Sequence, residues 1–378
     1  MKFEKLTNYL EQIDKNLIPD CRLLVYKDHQ CLYDKAFTKF PLQPEKAKKD
    51  MYYIFSASKV ITCTAALRLV QDGKLDLDDP VYKYLPEFKN LYIEQNGERV
   101  LAKNTLTVRH LFSMQGGLTY NLEHQEIKKM QAETNNKATT RQMMYAIAKM
   151  PLIFEPGESF AYSLCHDVLA AVVEIASGKR FSEYLKEIIF EPLKMESTTL
   201  TVTDEVKARL KQQYAVDKFN CIAVEKEADC PFILSDYYES GGAGIITTAE
   251  DYIKFADALA CESAKDGYAI LNKDYLQLLQ TNQLKGAAIE AYHTSGARKM
   301  GYGYALGVRT LMDPIKADSR SPIGEFGWNG AAGAYCMIDT KNHISIYFAQ
   351  HVMVGVSAVY MSSVQHAIKN IVYEVLES

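Results

Sequence analysis

Nothing in this chain of 378 residues approaches the run of about 18 apolar residues that a membrane-spanning helix needs. The N-terminal MKFEKLTNYLEQIDKNLIPD has neither a continuous apolar core nor a small-residue cleavage site. No secretory signal is therefore expected, and the expected location is the cytoplasm. Basic residues show no excess: 43 Lys and Arg stand against 47 Asp and Glu, for a net charge of -4. A nucleic-acid partner, which needs cations to neutralise phosphates, is thereby disfavoured. Eight cysteines are present, but no C-x-x-C pair and no H-E-x-x-H. Cys63 and Cys165 fall in apolar helical patterns, where a small buried thiol is the ordinary state. His110, His124 and His166 lie in separate segments without ligand spacing, so no metal is expected. The Gly-rich stretch SGGAGIITTAEDYIKF (240–255) lacks both G-K-[ST] and G-x-G-x-x-G. It reads as a structural turn rather than a phosphate loop, and no cofactor is expected.

What is present is patterned. Phe3, Leu6, Leu10, Ile13 and Leu17 recur at helical spacing before Pro19, predicting an N-terminal amphipathic helix. CRLLVY (21–26) and CLYDKAF (31–37) flank the polar KDHQ and predict a β-hairpin. Val60 to Val70 is apolar on nearly every face except at Arg68, which predicts a helix buried in the middle of the protein. From about 90 to 160 the chain is polar and helix-prone, and its 121–142 portion reads as soluble surface that could form a lid. A second apolar helix is expected over 164–179 with a glycine stop, and 201–234 reads as an irregular insert. YGYALGVRT (302–310), GAYCMID (333–339) and HISIYFAQH (343–351) are strand-like. The last two should pair across Thr340-Lys341-Asn342, and a closing helix should follow over Ala358 to Leu376. Strands at both ends with helices between predict one antiparallel sheet built from both termini.

Three segments could carry chemistry. In FSASKV, Ser56 and Lys59 are three residues apart and share a helix face, while Ser58 points elsewhere. A serine hydroxyl needs a neighbour to take its proton, and a buried lysine can do so. The helix start also offers free backbone N–H groups that can hold an oxyanion. An N-cap serine beside a snorkelling lysine would leave the same trace. Tyr162-Ser163 sits at a loop–helix junction, where the phenol could relay a proton or simply pack. FGWNGAAGAY (326–335) contains the only tryptophan, Trp328, among glycines that allow close approach of a ligand or mark a bulged edge strand.

Taken in order, these pieces resemble the serine β-lactamase and penicillin-binding-protein superfamily: FSASKVIT, LVQDGKLDLDDPVYKYLPEF, LTVRHLFSMQGGLTY, EPGESFAYSLCHDVLAAVVEIASG, SGGAGIITTAEDYIKFA and FGWNGAAGAYCMID. The resemblance implies an α+β, β-lactamase/transpeptidase-like fold, an antiparallel β-sheet flanked by helices. It implies a sheet domain from residues 1–75 and 235–378 and a mainly helical insert domain over 76–234, with the site between them. It also implies Ser56 as nucleophile, Lys59 as its proton-handling partner and Tyr162 as the tyrosine of the Y-x-N motif. The strand-edge motif falls on Trp328-Asn329-Gly330, with the N–H groups of Ser56 and Ala331 as oxyanion donors. Two departures stand out. Leu164 replaces the asparagine of Y-x-N, and Trp328 replaces the lysine of K-T-G. Loss of an amide and a cation should weaken binding of an anionic lactam or peptide. An aromatic at position 328 should favour an apolar group. Both changes resemble the family VIII carboxylesterases. The expected function is hydrolysis of small or medium apolar esters through an acyl-enzyme on Ser56. Lactam or D-amino-acid amide cleavage at the same residues, or a non-catalytic binding role, are the alternatives. His166, one turn after Tyr162, is expected either to line the cleft or to lie on the helix surface.

Overall fold

The computed structural model describes residues 3–41, 43–95, 97–217, 219–353 and 355–378. Alternation of apolar side chains builds its centre. Seven antiparallel strands form one sheet in the order Gln30–Thr38, Asp20–Lys27, Ile344–Ala349, Tyr335–Asp339, Phe326–Asn329, Arg309–Leu311, Tyr302–Tyr304. Along a strand successive side chains face opposite sides. Leu23, Val25, Ile346 and Phe348 meet Leu6, Leu10, Ile368 and Val372 of the two terminal helices, Glu4–Glu11 and Ala358–Glu377. Leu24, Tyr347 and Ala349 point the other way, into the core that holds the Ala249–Ala260 helix. There Tyr252 stacks on Tyr347 with centroids 4.3 Å apart. The sheet is therefore covered on both faces, and both ends of the chain contribute to it.

The first hairpin turns at Asp28 and His29, with φ of 50° and 62°. Two consecutive left-handed residues match the right-handed twist of the strands. Neither residue is glycine, and side-chain contacts hold both. His29 Nδ1 lies 2.8 Å from Asp257 Oδ2, and Asp28 Oδ1 lies 2.8 Å from His343 Nδ1.

The helix Ser58–Gln71 runs through the middle of the molecule, and Ser58 to Leu67 are all buried. The Cys165–Ser177 helix packs along it and stops at Gly178 with φ 70°. Gly307, at φ 86°, lets the loop after Tyr302–Tyr304 press against this helix pair: a Cβ there would lie 2.1 Å from Cys63 Sγ. Among the described residues no helix is long and apolar enough to cross a membrane.

The structure departs from the sequence expectations in three places. The polar stretch after residue 90 opens with a hairpin, Tyr92–Gln95 and Glu98–Leu101, rather than a helix. The second of these strands is exposed throughout, so apolar alternation does not announce the pair. The expected irregular insert contains the strands Gln213–Val216 and Ala223–Lys226, which Val352–Met353 extends as a parallel third strand. These strands are short and partly exposed, so apolar alternation does not announce them. The expected lid is anchored: Ile127, Met143, Met144 and Ile147 of helices Gln125–Glu133 and Thr140–Ile147 are buried in the main core.

His351 ties these small strands to the sheet. It is 1% exposed. Nδ1–H donates to the Lys211 carbonyl at 2.9 Å, and Nε2 accepts from the Gln213 amide at 3.0 Å. Burial pushes its pKa down from 6.5 to about 4. The unfolded chain thus takes a proton near 6.5 that the folded chain refuses until about 4. The stability from the neutral imidazole is complete above the higher value and is lost as pH falls towards the lower one. The slope is roughly 1.4 kcal/mol per pH unit. His351→Gln should flatten the loss of stability in urea unfolding between about pH 7 and pH 4.5; equal slopes in variant and wild type would refute this role.

Candidate active site

The helix Ser58–Gln71 is preceded by a 3-10 turn, Phe55–Ala57, so Ser56 stands just ahead of the regular helix and remains partly accessible. Phe55 adopts φ 48°, a left-handed conformation costly for an aromatic residue. Its ring is fully buried and edge-on to Phe232 at 6.2 Å, which holds the turn in place. Ser58 faces away, and its Oγ accepts the Ile245 N–H at 3.2 Å. Lys59 is fully buried. Its Nζ lies 2.7 Å from the Gly242 carbonyl, 2.9 Å from Tyr120 Oη and 3.3 Å from Ser56 Oγ. Each of the three tetrahedral positions open on the nitrogen meets one of these oxygens.

Gly242 belongs to the turn that joins Tyr238 to the strand Ile246–Thr248. A Cβ there would sit 2.5 Å from Asp167 Oδ2, 3.1 Å from Tyr120 Oη and 3.3 Å from Lys59 Nζ. The absent side chain is what lets this carbonyl reach the lysine. Behind it, buried Asp167 accepts from Ser240 Oγ at 2.6 Å and from Tyr238 Oη at 2.9 Å. Burial raises the Asp167 pKa against the opposing pull of those hydrogen bonds and of Lys59. Burial, with Tyr162 and Asp167 nearby, raises the Tyr120 phenol well above its ordinary value, so it stays protonated.

Tyr162 and Trp328 close the opposite side. Tyr162 lies in the loop before the Cys165–Ser177 helix, and Trp328 lies on the strand Phe326–Asn329. Their rings stack at 5.6 Å, and the indole N–H donates to Tyr162 Oη at 2.9 Å. Tyr304 packs edge-on against the other side of the indole at 5.1 Å. Trp328 is 6% exposed. Its polar edge is thus engaged with Tyr162, which the expectation of a purely apolar substrate wall did not include. Lys59 Nζ lies 4.6 Å from the Tyr162 ring centroid.

After Trp328 the chain turns tightly. Gly330 N–H donates to the Ala334 carbonyl at 2.7 Å, and Gly333 N–H donates to the Gly330 carbonyl at 2.9 Å. A Cβ on Gly330 would lie 2.2 Å from the Ile54 carbonyl, so this turn abuts the chain just before Ser56. Among the described residues no backbone carbonyl accepts from the N–H of Ala331 or of Ser56. Ser56, Tyr162, Trp328, Asn329, Gly330 and Ala331 line one end of a cavity of about 380 Å³.

Leu164 and His166 do not line it. Leu164 is fully buried at the start of its helix. His166 is neither at the cleft nor on the helix surface. It is fully buried, with Nε2 3.0 Å from the Phe112 carbonyl and 3.5 Å from Cys63 Sγ. Burial drives its pKa down to about 3. The Cys165–Ser177 helix is buried on all sides through Val173, so one turn of phase leads into the core rather than to the cleft. Tyr120 and Gly242 are neighbours of Lys59 that the sequence reading did not assign. The only local cue to Tyr120 is its place in GGLTY, and the expected structural turn at 240–244 supplies a carbonyl to the site as well. Elsewhere, His29, Asp257 and Cys261 place ligand-type atoms within 4.8 Å of one another. There burial raises the Cys261 thiol to about 12 and His29 already pairs with Asp257, so the trio is internally satisfied.

The chain is similar in sequence and fold to known proteins. Protein Rv1367c of Mycobacterium tuberculosis (strain ATCC 25618 / H37Rv) is 24% identical over 311 residues, 80% of this chain and 77% of that one. EstCE1, a hydrolase with promiscuous acyltransferase activity, superposes with a TM-score of 0.77 at 23% identity, covering 98% of both chains. A variant of simvastatin synthase LovD from Aspergillus terreus superposes with a TM-score of 0.80 at 18% identity over 100% of both. At such identities the likeness shows the β-lactamase/transpeptidase-like fold. The Beta-lactamase family model matches residues 6–371, and with nearly the whole length matched, the chain belongs to the beta-lactamase family.

Proposed function

We propose that this chain is a serine esterase that works through an acyl-enzyme on Ser56 and takes a small carboxylic ester. The observation that carries the reading is the 3.3 Å contact between Lys59 Nζ and Ser56 Oγ, at the end of a cavity that also exposes Ala331. A serine oxygen attacks a carbonyl as its proton leaves. Lys59, as the neutral amine, takes that proton, while Gly242 and Tyr120 hold the nitrogen in place. The Oγ–carbon bond forms and the carbonyl electron pair moves onto oxygen, where the N–H groups of Ser56 and Ala331 receive it. Tyr162 then gives its phenolic proton to the departing alcohol as the C–O bond breaks. The Trp328 N–H, already donating to that phenol oxygen, stabilises the charge left behind. The Lys59 ammonium, close to the Tyr162 ring, restores the proton. Water enters by the same steps in reverse and releases the acid.

Ester rather than amide chemistry is favoured by position 328. A neutral indole stands where lactam- and peptide-cleaving relatives are expected to carry a cation, and its hydrogen bond goes to the catalytic phenol. An alkoxide also leaves a tetrahedral intermediate more readily than an amide nitrogen.

Hydrolysis of p-nitrophenyl butyrate should fall at least a thousandfold in Ser56→Ala, with slow turnover of a chromogenic cephalosporin by the wild type. Ester turnover that survives the substitution would remove Ser56 from the mechanism. Trp328→Phe keeps the ring and deletes the N–H. It should lower kcat about tenfold with KM little changed; an effect confined to KM would make Trp328 a substrate contact instead. Tyr120→Phe leaves one Lys59 hydrogen bond unmade. As a positioning change it should lower kcat about tenfold and displace the pH–rate profile. An unmoved profile would reduce Tyr120 to packing.

A further inference from the structure

The far wall of the same cavity comes from residues 295–299, in the 295–301 segment between the helix Ala287–Thr294 and the strand Tyr302–Tyr304. This segment is built to place one side chain. Arg298 is left-handed at φ 54°, and so is Gly301 at φ 80°. At Gly301 a Cβ would come within 2.5 Å of the Ala317 nitrogen and the Asp313 carbonyl. Between them, the Lys299 carbonyl accepts the Tyr302 N–H at 3.1 Å. The Lys299 side chain turns into the cavity, where its Nζ lies over three rings: Tyr292 at 4.5 Å, Phe160 at 5.8 Å and Trp328 at 5.9 Å. Its hydrogen-bond partner is Ser295 Oγ at 2.6 Å. Lys299 forms no ion pair with the described residues.

A lysine without a counter-charge is ordinary in water but unusual against three aromatic rings. Cation–π attraction offsets part of its lost hydration. The remainder shows in its pKa, which burial lowers to about 8. The surroundings add positive charge rather than balance it. Arg298, Arg309 and Lys369 also line the cavity, as does His366, whose pKa burial lowers, and no Asp or Glu does. Buried Glu325 lies behind the wall, 3.1 Å from Arg309 Nη2 and 3.4 Å from Lys369 Nζ, so one carboxylate serves two cations.

We propose that this wall is an anion subsite, in which Lys299 binds a carboxylate carried on the non-reacting end of the ester. The inference rests on the esterase reading for its substrate but not for its test. The indole of Trp328 lies between Lys299 and Tyr162, so a ligand reaching from Ser56 to Lys299 passes along it. The substrate class is then an ester that bears a free carboxylate, with a chain between the two groups long enough to run past the indole. The cation absent from position 328 is supplied from a different element of the fold.

Trp328 is the only tryptophan, so its fluorescence reports on Lys299 directly. Titration with glutarate should give a saturable change in the wild type. Lys299→Met should weaken the apparent affinity about tenfold or more, and Lys299→Arg should keep most of it. No saturable change, or equal affinity in wild type and Lys299→Met, would overturn the subsite whether or not the protein cleaves esters. In parallel, mono-p-nitrophenyl glutarate is compared with p-nitrophenyl butyrate by kcat/KM. The ratio of the charged to the neutral ester should drop about tenfold in Lys299→Met, and a ratio unaltered by that substitution would also overturn the proposal. Loss of the esterase reading is seen separately, as turnover that persists in Ser56→Ala.

Discussion

Lys59 Nζ meets three oxygens: Ser56 Oγ one turn away, and Tyr120 Oη and the Gly242 carbonyl from distant parts of the chain. A neutral polar group buried without a hydrogen bond costs about 2–7 kcal/mol, and an ammonium far more. The middle of the Ser58–Gln71 helix can therefore be this apolar only if the loop carrying Tyr120 and the turn carrying Gly242 both close over its start. Gly242 makes that closure possible, because any side chain there would strike Asp167. The same closure brings the sheet side of the molecule against the helices of the middle segment. The cavity then forms where the Gly330 turn meets Ile54, so catalytic geometry and chain packing share one constraint.

Spacing within one element was readable, and contact between elements was not. Ser56 and Lys59 are three residues apart across the start of one helix, and the strands of the large sheet alternate between two buried faces, so local periodicity carries both. The partners of Lys59 lie 61 and 183 residues away, and no local pattern marks them. Tyr120 is one of 25 tyrosines. His166 shows the limit from the other side. Counting one turn from Tyr162 gives a direction only if the neighbours of the helix are known, and here a neighbour is Cys63. The small hairpins at 92–101 and 213–226 escaped because partly exposed short strands need no apolar alternation.

Trp328 shows why residue type alone misjudges a site. Reasoning from its ring makes it an apolar wall. The structure engages its N–H with Tyr162, stacks one face on that same phenol, and sets its edge against Tyr304. A lysine in the same place would bring a full charge to the strand edge, whereas the indole brings a neutral donor aimed at the phenol oxygen. An indole in place of a cation would thus change what stabilises the tyrosine as well as what meets a substrate.

Neutralising position 328 does not make the cavity neutral. Lys299 reaches it from the 295–301 segment, and Glu325 leaves the Arg309–Lys369 pair with a net positive charge. A charge on a strand edge beside the serine would bind an anion close to the scissile bond, as a fused lactam presents it. A charge across the indole would bind an anion further away, as a longer flexible acid presents it. Charge lost near the reacting bond and present at a distance alters the length of substrate that fits rather than its sign. On the proposed reading, an ester-cleaving site and a cationic cavity are compatible in one protein.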